Sequence, residues 1–259
     1  MTKRIALALS LLFAPLLLAA AEPAAEPAAE AVSWKDLHAG NEVGNISSLQ
    51  RGARNFSNYC LGCHSLQYMR WSRLGNDLKI PMELLKANLI PPGGKPADYI
   101  KTSLRAEDAV AWLGKEPPDL SLIARSRGVD YLYRFLKTFY VDPSRPSRSN
   151  NLALENPAMP AVLSELEGVK AGVFKNVEVM VDGKATTQKV FDHFEQVSPG
   201  QLSAAKYDEF VRDTVNFLDY AGEPAQVDRR SMGVWVVLFL LTFTGIAWFM
   251  KKEYWKDVH

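Results

Sequence analysis

The chain has 259 residues, of which 47% are hydrophobic and 23% charged, the composition of an ordinary globular domain with room for appended segments. Its 30 basic and 29 acidic residues give a net charge of +1, and this balance argues against a nucleic-acid-binding protein, which would carry a concentrated basic excess. The sequence contains two cysteines, three positions apart, so a disulfide framework is excluded.

Residues 1–21 have the layout of a secretory signal peptide. A short basic stretch precedes an apolar run over 5–18, and three consecutive alanines supply a small-residue cleavage site. An uncleaved anchor helix is the alternative, whereas a mitochondrial transit peptide would be richer in arginine and serine. Residues 22–33 contain two Pro-Ala-Ala-Glu units and are predicted to form a flexible linker.

The next segment carries the most informative motif. Apolar residues recur at helical spacing from Ser47 to Cys60, with Ser47 or Ser48 available as the N-cap. Cys60-Leu-Gly-Cys63-His64 closes this helix, and two thiols at this spacing can each form a thioether with a haem vinyl group while the histidine binds the iron. A thioredoxin-like redox pair is disfavoured by the adjacent histidine, and a zinc site lacks a second ligand pair. We predict one covalently attached haem c.

The region after the motif is predicted to be mostly helical. Hydrophobic periodicity places further helices at residues 81–90, 105–114, 129–140 and 203–221. Gly222 suits the C-terminal cap of the last of these helices. Alternating valines lead to Asp182-Gly183, a strong turn signal, so a small β-hairpin is predicted within 173–197. The predicted fold class is therefore mainly α, with a small β-hairpin insertion.

Residues 232–250 contain no charged side chain, and as a helix they would span about 28 Å. A buried core helix seldom stays apolar around its whole circumference over that length, so one transmembrane helix is predicted. Trp235 and Trp248 lie near its ends, where aromatic side chains favour the membrane interface. Because a signal peptide exports the segment that follows it, residues 34–228 are expected in the periplasm and residues 251–259 in the cytoplasm.

A low-spin electron carrier needs a second axial ligand, and thioether sulfur favours the reduced iron. Met159 lies in Asn-Pro-Ala-Met-Pro, whose prolines stiffen an irregular loop and hold one side chain at a fixed place. Met82 is the alternative methionine, although it resembles a packing residue in the first turn of a helix. His38 and His193 are the remaining rivals, each expected at the surface or between domains. Met159 is therefore predicted as the second axial ligand.

These features resemble the cytochrome c1 family of bacterial type, the haem subunits of the ubiquinol:cytochrome c reductase (cytochrome bc1) complex. The resemblance covers most of the mature chain and rests on the order in which the motifs occur. The motifs are Cys60-Leu-Gly-Cys-His64, Pro117-Pro-Asp-Leu-Ser121, Ala124-Arg-Ser-Arg127, Met159-Pro160, Val215-Asn-Phe-Leu218, Gly222-Glu-Pro224 and Arg229-Arg-Ser-Met-Gly233. The resemblance implies a cytochrome c-like helical haem domain followed by one C-terminal transmembrane helix.

The resemblance also implies individual roles. Met159 would be the sixth iron ligand, Arg127 would pair with a haem propionate, and Pro118 and Leu120 would line the haem pocket. An arginine beside a partly buried carboxylate is physically reasonable, and the alternative is a solvated arginine at a helix end. Arg125 is a competing partner for the propionate.

The implied function is the transfer of one electron from a Rieske iron-sulfur centre to a soluble or tethered cytochrome c. The expected partner subunits are cytochrome b and the Rieske protein, and the chain alone would not be catalytic. Its expected location is the inner membrane of a bacterium, single-pass, with the haem domain on the periplasmic side. Two alternatives stay open: a free-standing membrane-anchored cytochrome c feeding a terminal oxidase, and a haem peroxidase or ligand sensor, which needs an open sixth site.

Overall fold

The structure is a computed structural model, and it describes residues 33–181 and 184–258. The signal peptide predicted at 1–21 lies outside the described residues. So do all but the last residue of the predicted linker at 22–33, and the turn residues Asp182 and Gly183.

Helices occupy much more of the described chain than strands, which confirms the mainly α fold class. A 3-10 turn at Trp34–Asp36 precedes the helices. The helices are α1 (Ile46–Tyr59), α2 (Trp71–Asp77), α3 (Met82–Asn88), α4 (Ala106–Leu113), α5 (Ile123–Arg127), α6 (Val129–Lys137), α7 (Ser164–Glu167), α8 (Ala204–Gly222) and α9 (Gln226–Tyr254). The strands are β1 (Leu66–Arg70), β2 (Tyr99–Ile100), β3 (Phe139–Val141), β4 (Ser149–Asn151), β5 (Gly168–Val181) and β6 (Lys184–Pro199).

Helices α1 and α8 cross in the core at very close range. A Cβ placed on Gly52 of α1 would lie 2.1 Å from the Asp213 carbonyl oxygen of α8. One turn further along α1, the Phe56 ring meets the Phe217 ring at a centroid distance of 5.8 Å. Both aromatic side chains are almost fully buried. This crossing fixes the C-terminal end of α1, where the cysteine motif begins.

Polar side chains tie the same two helices together. The carboxylate of Asp213 is buried, and Arg51 donates to it in a bidentate pair, with Nε···Oδ2 at 2.5 Å and Nη2···Oδ1 at 2.8 Å. Asn55 donates from Nδ2 to the Phe210 carbonyl oxygen and to Oγ1 of Thr214. Because a buried charge is costly unless it is paired, the bidentate geometry stabilises one register of the crossing.

The strands form two sheets. One contains β1 and β2, and the other has the order β4-β3-β5-β6, with β3 antiparallel to β4 and parallel to β5. The long β5–β6 hairpin confirms the predicted hairpin, although its pairing extends from Gly168 opposite Pro199 rather than only over 173–197. Helix α6 ends at Lys137 instead of continuing to residue 140, because the next residues pair with β4.

Aromatic rings join the hairpin to the neighbouring strand β3. Tyr140 on β3 meets Phe174 on β5 at 5.6 Å between ring centroids, and Phe174 meets Phe191 on β6 at 5.8 Å. Phe191 in turn lies 4.6 Å from Phe194. Cross-strand aromatic contacts of this kind stabilise strand pairing. The hairpin is thereby joined through β3 to the helical part of the chain.

Two helix ends differ from the sequence prediction. Asn45, rather than Ser47 or Ser48, is the N-cap of α1, and its Oδ1 accepts from the Ser48 N–H at 3.1 Å. Asparagine caps a helix as well as serine does, so propensity does not separate the three positions. Gly222 is the last residue of α8 and Glu223 is the C-cap. The predicted cap is therefore displaced by one residue.

Helix α9 is the predicted membrane anchor and confirms the C-terminal transmembrane helix of the fold class. It is long and apolar enough to cross a membrane, and none of its described side chains is buried. Helix α9 spans 226–254, whereas the apolar stretch spans 232–250. Three residues separate it from the end of α8, whereas the predicted helices at 203–221 and 232–250 are separated by ten. An ion pair between Arg229 and Glu223 lies at its start.

Asp208 of α8 gives the contact with α6 a predictable pH dependence. Burial disfavours its ionisation, but hydrogen bonds from Lys137 (2.5 Å), Tyr133 and Arg212 (2.6 Å) outweigh burial and lower the pKa from 3.8 to about 2. A carboxyl group with a lowered folded-state pKa stabilises the fold above the unfolded pKa and loses that contribution as pH falls through the folded pKa. Because Asp208 is partly exposed, solvent screening reduces this contribution to about 1 kcal/mol at neutral pH.

We therefore expect Asp208→Asn to lower the free energy of unfolding at pH 7 by about 1 kcal/mol. The difference from the unchanged protein should shrink as pH falls from about 4 to about 2, because Asp208 is protonated over that range. Denaturant unfolding of both proteins across this pH range measures the difference. A difference that stays constant with pH would contradict the assignment.

Candidate haem site

The cysteine motif forms a tight turn directly after α1. Cys60 is the C-cap of the helix, and its carbonyl oxygen accepts from the N–H groups of Cys63 at 3.0 Å and His64 at 2.8 Å. Both thiols are free, Cys63 exposed and Cys60 partly so. Desolvation raises the pKa of the Cys60 thiol to about 12, and the neighbouring Cys63 adds to the rise. The turn therefore places both thiols beside each other at the end of α1.

The His64 side chain is held in one orientation by a backbone carbonyl. Its Nδ1 lies 2.8 Å from the carbonyl oxygen of Pro118. Because a carbonyl oxygen can only accept, Nδ1 carries the proton and the lone pair of the neutral ring lies on Nε2. Burial lowers the pKa of His64, which keeps the ring neutral, while the Pro118 contact opposes this shift. His64 therefore presents Nε2 in the form that binds a metal.

The segment that supplies this carbonyl is itself fixed to the chain after the motif. The Leu120 N–H donates to the carbonyl oxygen of Ser65 at 2.9 Å. One carboxylate oxygen of Asp119 accepts from the Gln67 N–H at 2.9 Å. Pro118 is exposed beside the histidine, whereas Leu120 is partly buried and packs against the core. The structure thus places Pro118 against His64 and Leu120 against the next residue, Ser65.

Thr102 is a second support of the turn that sequence reasoning missed. Its Oγ1 donates to the Gly62 carbonyl oxygen at 2.8 Å, within the motif, and its N–H donates to Oγ of Ser65 at 2.9 Å. These bonds join residues about 40 positions apart, and a single threonine in a loop carries no sequence signal for such a contact. Thr102 and Asp119 together hold the turn from two directions.

Met159 lies in the segment between β4 and α7 and is partly buried. It lines a cleft of about 320 Å³ whose other walls include Leu136, Tyr140 and Tyr207. His64 is not among the described residues that line this cleft, so the cleft alone does not bring the two predicted iron ligands together. The proline after Met159 lines the same cleft. Met159 therefore lies in a loop, with its side chain at the wall of an open cleft.

The two arginines considered as propionate partners differ in their surroundings. Arg127 is the last residue of α5 and is exposed, with Cζ 5.7 Å from the centroid of the Tyr131 ring. Within the described chain its guanidinium makes no ion pair with a carboxylate. The aliphatic stem of Arg125 instead lies against Gly222, and its charge acts on Glu223. Of the two arginines, Arg125 is therefore the one whose charge already interacts with a carboxylate, that of Glu223.

The three other candidate iron ligands make contacts with other parts of the chain. Met82 begins α3 and packs against the core, as expected for a packing residue. His38 is exposed, with Nδ1 2.8 Å from a carboxylate oxygen of Asp130. His193 is also exposed, with Nδ1 2.8 Å from a carboxylate oxygen of Asp192. None of these side chains lines the cleft beside Met159.

The donor set fits a covalently bound haem. Two free thiols and a neutral imidazole with an available Nε2 occur within five residues at the end of one helix. The thiols supply the atoms for two thioether bonds, and the imidazole supplies one axial ligand. The residues Cys60, Cys63 and His64 are therefore those that could hold haem c.

Comparison with known proteins gives a consistent result. The profile of the Cytochrome C1 family matches residues 41–258. Cytochrome c1 of Allochromatium vinosum is 46% identical over 213 residues, which cover 82% of this chain and 85% of that protein. A protein named ammonia monooxygenase gamma subunit, from Nitrosomonas europaea, is 41% identical over 212 residues, 82% of this chain and 84% of its own length.

Cytochrome c1 of Rhodospirillum rubrum is 28% identical over 254 residues, covering 87% of this chain and 86% of that protein. The family profile covers more than half of the chain, and the predicted resemblance to bacterial members is confirmed. The chain therefore belongs to the cytochrome c1 family, the electron-transfer haem subunits of the cytochrome bc1 complex.

Proposed function

We propose that this chain passes one electron from the Rieske iron-sulfur centre to a soluble or tethered cytochrome c, within a cytochrome bc1 complex. The observation that carries the proposal is the turn from Cys60 to His64, with two free thiols and an imidazole fixed through Nδ1. When bound there, haem supplies reversible one-electron chemistry at its iron. The chain conducts an electron and is not catalytic alone.

The thiols of Cys60 and Cys63 hold the single haem c covalently, each as a thioether to one vinyl group. His64 supplies the first axial ligand from Nε2, and the carbonyl of Pro118 keeps the imidazole in the required tautomer. A hydrogen bond at the outer nitrogen of a ligating histidine also makes the inner nitrogen a stronger ligand. Pro118 and Leu120 would supply apolar surface to the haem pocket beside the histidine.

Met159 supplies the second axial ligand in this proposal. It lies next to proline in a loop and faces an open cleft, whereas Met82 packs against the core. Arg127 pairs with a haem propionate, because its guanidinium is exposed and free of carboxylate pairs within the described chain. Arg125 is the less suitable partner, since its stem packs on Gly222. With both His64 and Met159 bound to the iron, no position would remain open for the substrate of a peroxidase or the ligand of a sensor.

The chain crosses the inner membrane of a bacterium once, through α9. A signal peptide at 1–21 exports the following segment, so the haem domain at 34–228 lies in the periplasm and the tail at 251–259 in the cytoplasm. The linker at 22–33 lies between the signal peptide and the haem domain. Aromatic residues near both ends of the apolar stretch at 232–250 support its placement at the membrane interfaces.

Purification in a mild detergent tests the proposed assembly. A tag on the cytoplasmic tail should recover cytochrome b and the Rieske protein together with this chain, in constant ratio. The reciprocal purification, through tagged cytochrome b from the same membranes, should return this chain and serves as the control. Recovery of the chain alone, or only with a terminal oxidase, would reject the proposal in favour of a free-standing membrane-anchored cytochrome c.

A further inference from the structure

Strand β4 contains two adjacent asparagines that are nearly inaccessible to solvent. Asn150 is 5% exposed and Asn151 is 2% exposed. Buried carboxamides are costly unless all their polar atoms are paired, so their partners indicate what they stabilise. Half of their side-chain hydrogen bonds go to the loop that follows β4, which leads to Met159. The others go to Phe135, Thr138, Asp142 and the backbone of β4 itself.

Asn151 closes the first part of that loop. Its Oδ1 accepts from the N–H groups of Ala153 at 2.8 Å and Leu154 at 3.1 Å. Its Nδ2 donates to the carbonyl oxygen of Phe135 in α6 at 2.7 Å. Because that carbonyl can only accept, the amide nitrogen must face α6 and the amide oxygen must face the loop. One side chain therefore joins the loop to a helix of the core.

Asn150 closes the second part of the loop. Its Oδ1 accepts from the N–H of Asn156 at 2.8 Å, and its Nδ2 donates to a carboxylate oxygen of Asp142 at 2.9 Å. Asn156 has a φ of +57°, a left-handed conformation that asparagine tolerates better than most residues. Met159 follows only three residues later. The backbone is thus fixed immediately before the proposed ligand.

The segment after Met159 is fixed as well. The Val162 N–H donates to the Pro160 carbonyl oxygen at 2.8 Å, which forms a tight turn. Leu163 and Leu166 then enter the core, 8% and 5% exposed. Met159 is therefore held between a hydrogen-bonded anchor on one side and an apolar anchor on the other.

We propose that Asn150 and Asn151 are positioning residues for Met159, which set how tightly its sulfur stays on the iron. The proposal rests on the proposed ligation by Met159. A ligand held by a rigid loop has a high effective concentration at the metal, and a loosened loop lowers it. Loss of either asparagine side chain therefore increases the fraction of protein in which the sulfur has left the iron.

Imidazole binding to the oxidised holoprotein in detergent measures that fraction. Added imidazole competes for the position that the sulfur occupies, so its apparent Kd falls in proportion as the dissociated fraction rises. We expect Asn150→Ala and Asn151→Ala each to lower this Kd about tenfold. The weak far-red absorption band that reports sulfur ligation should decrease in both variants. If an alanine variant does not yield folded holoprotein, Asn151→Ser gives the same test.

Asn216→Ala is the matched control, because Asn216 is 3% exposed and also donates two hydrogen bonds, to the Glu42 carbonyl oxygen and Ser48 Oγ. Neither of these partners belongs to the Met159 loop. This variant should unfold more easily but keep the imidazole Kd and the far-red band unchanged. If Asn216→Ala alters them as much as the β4 variants do, or if the β4 variants leave them unchanged, the positioning role is wrong.

A Met159→Leu variant separates this inference from the function on which it rests. If Met159→Leu leaves the band unchanged, Met159 is not the ligand and both proposals fail. If Met159→Leu removes the band while Asn150→Ala and Asn151→Ala leave it intact, the ligation stands and the positioning role alone is rejected.

Discussion

Replacing Met159 with leucine is expected to remove the far-red band of the oxidised protein and to lower the midpoint potential by on the order of 0.1 V. Thioether sulfur favours the reduced iron, so its loss stabilises the oxidised state relative to the reduced one. Leucine has nearly the same volume, and such swaps cost less than about 1.5 kcal/mol of stability. The change in potential should therefore arise from ligation and not from unfolding. Spectroelectrochemical titration of the purified complex measures both quantities.

Met82→Leu is the matched control, because Met82 is also partly buried and packs against the core at the start of α3. The far-red band and the midpoint potential of the Met82→Leu variant should equal those of the unchanged protein. The reverse result, with Met82→Leu altered and Met159→Leu unaltered, would make Met82 the ligand. If the unchanged protein lacks the band and binds exogenous ligands freely, the peroxidase or sensor alternative would be favoured instead.

The haem motif could be predicted from sequence because all of its chemistry is local. Cys60, Cys63 and His64 lie within five residues, and the helix that precedes them has a clear apolar face. The apolar stretch of α9 is equally local. Its helix extends to 226–254 because charged residues at the ends of an apolar stretch do not stop a helix, and a count of uncharged residues does not detect the extension.

Contacts between distant residues account for most of what the sequence did not predict. Thr102 bonds to the motif across 40 residues, and Asp119 bonds to Gln67 across 52. The strands β1 to β4 have two to five residues each, too few for a periodic pattern. Phe139 lies where a helix and a strand fit the local pattern equally well, and pairing with Asn151 of β4 decided between them.

The same principle applies to the loop of Met159. Its flanking prolines indicated a fixed side chain, but the atoms that fix it belong to Asn150 and Asn151, which precede the loop as an ordinary polar pair. Adjacent asparagines in a sequence are usually exposed turn residues. Their burial depends on α6 and on Asp142, which no local pattern relates to them.

Gly52→Ala should strongly destabilise the fold, costing about 3 kcal/mol or more and lowering the melting temperature by about 10 °C. The new Cβ would lie 2.1 Å from the Asp213 carbonyl oxygen and 2.5 Å from Cβ of Phe217. Both are on α8, and one is backbone, so relief requires the two helices to separate. Alanine favours a helix over glycine by only about 1 kcal/mol, which does not offset this clash.

Gly44→Ala is the control, because a Cβ at Gly44 has no neighbour within 4 Å. Its melting temperature should stay within a few degrees of the unchanged protein, which corresponds to about 0.5 kcal/mol. Separation of α1 from α8 would also displace Cys60 at the end of α1, so Gly52→Ala should contain less covalently attached haem per chain. Equal melting temperatures and equal haem content for the two variants would mean that the crossing of α1 and α8 does not hold the haem turn in place.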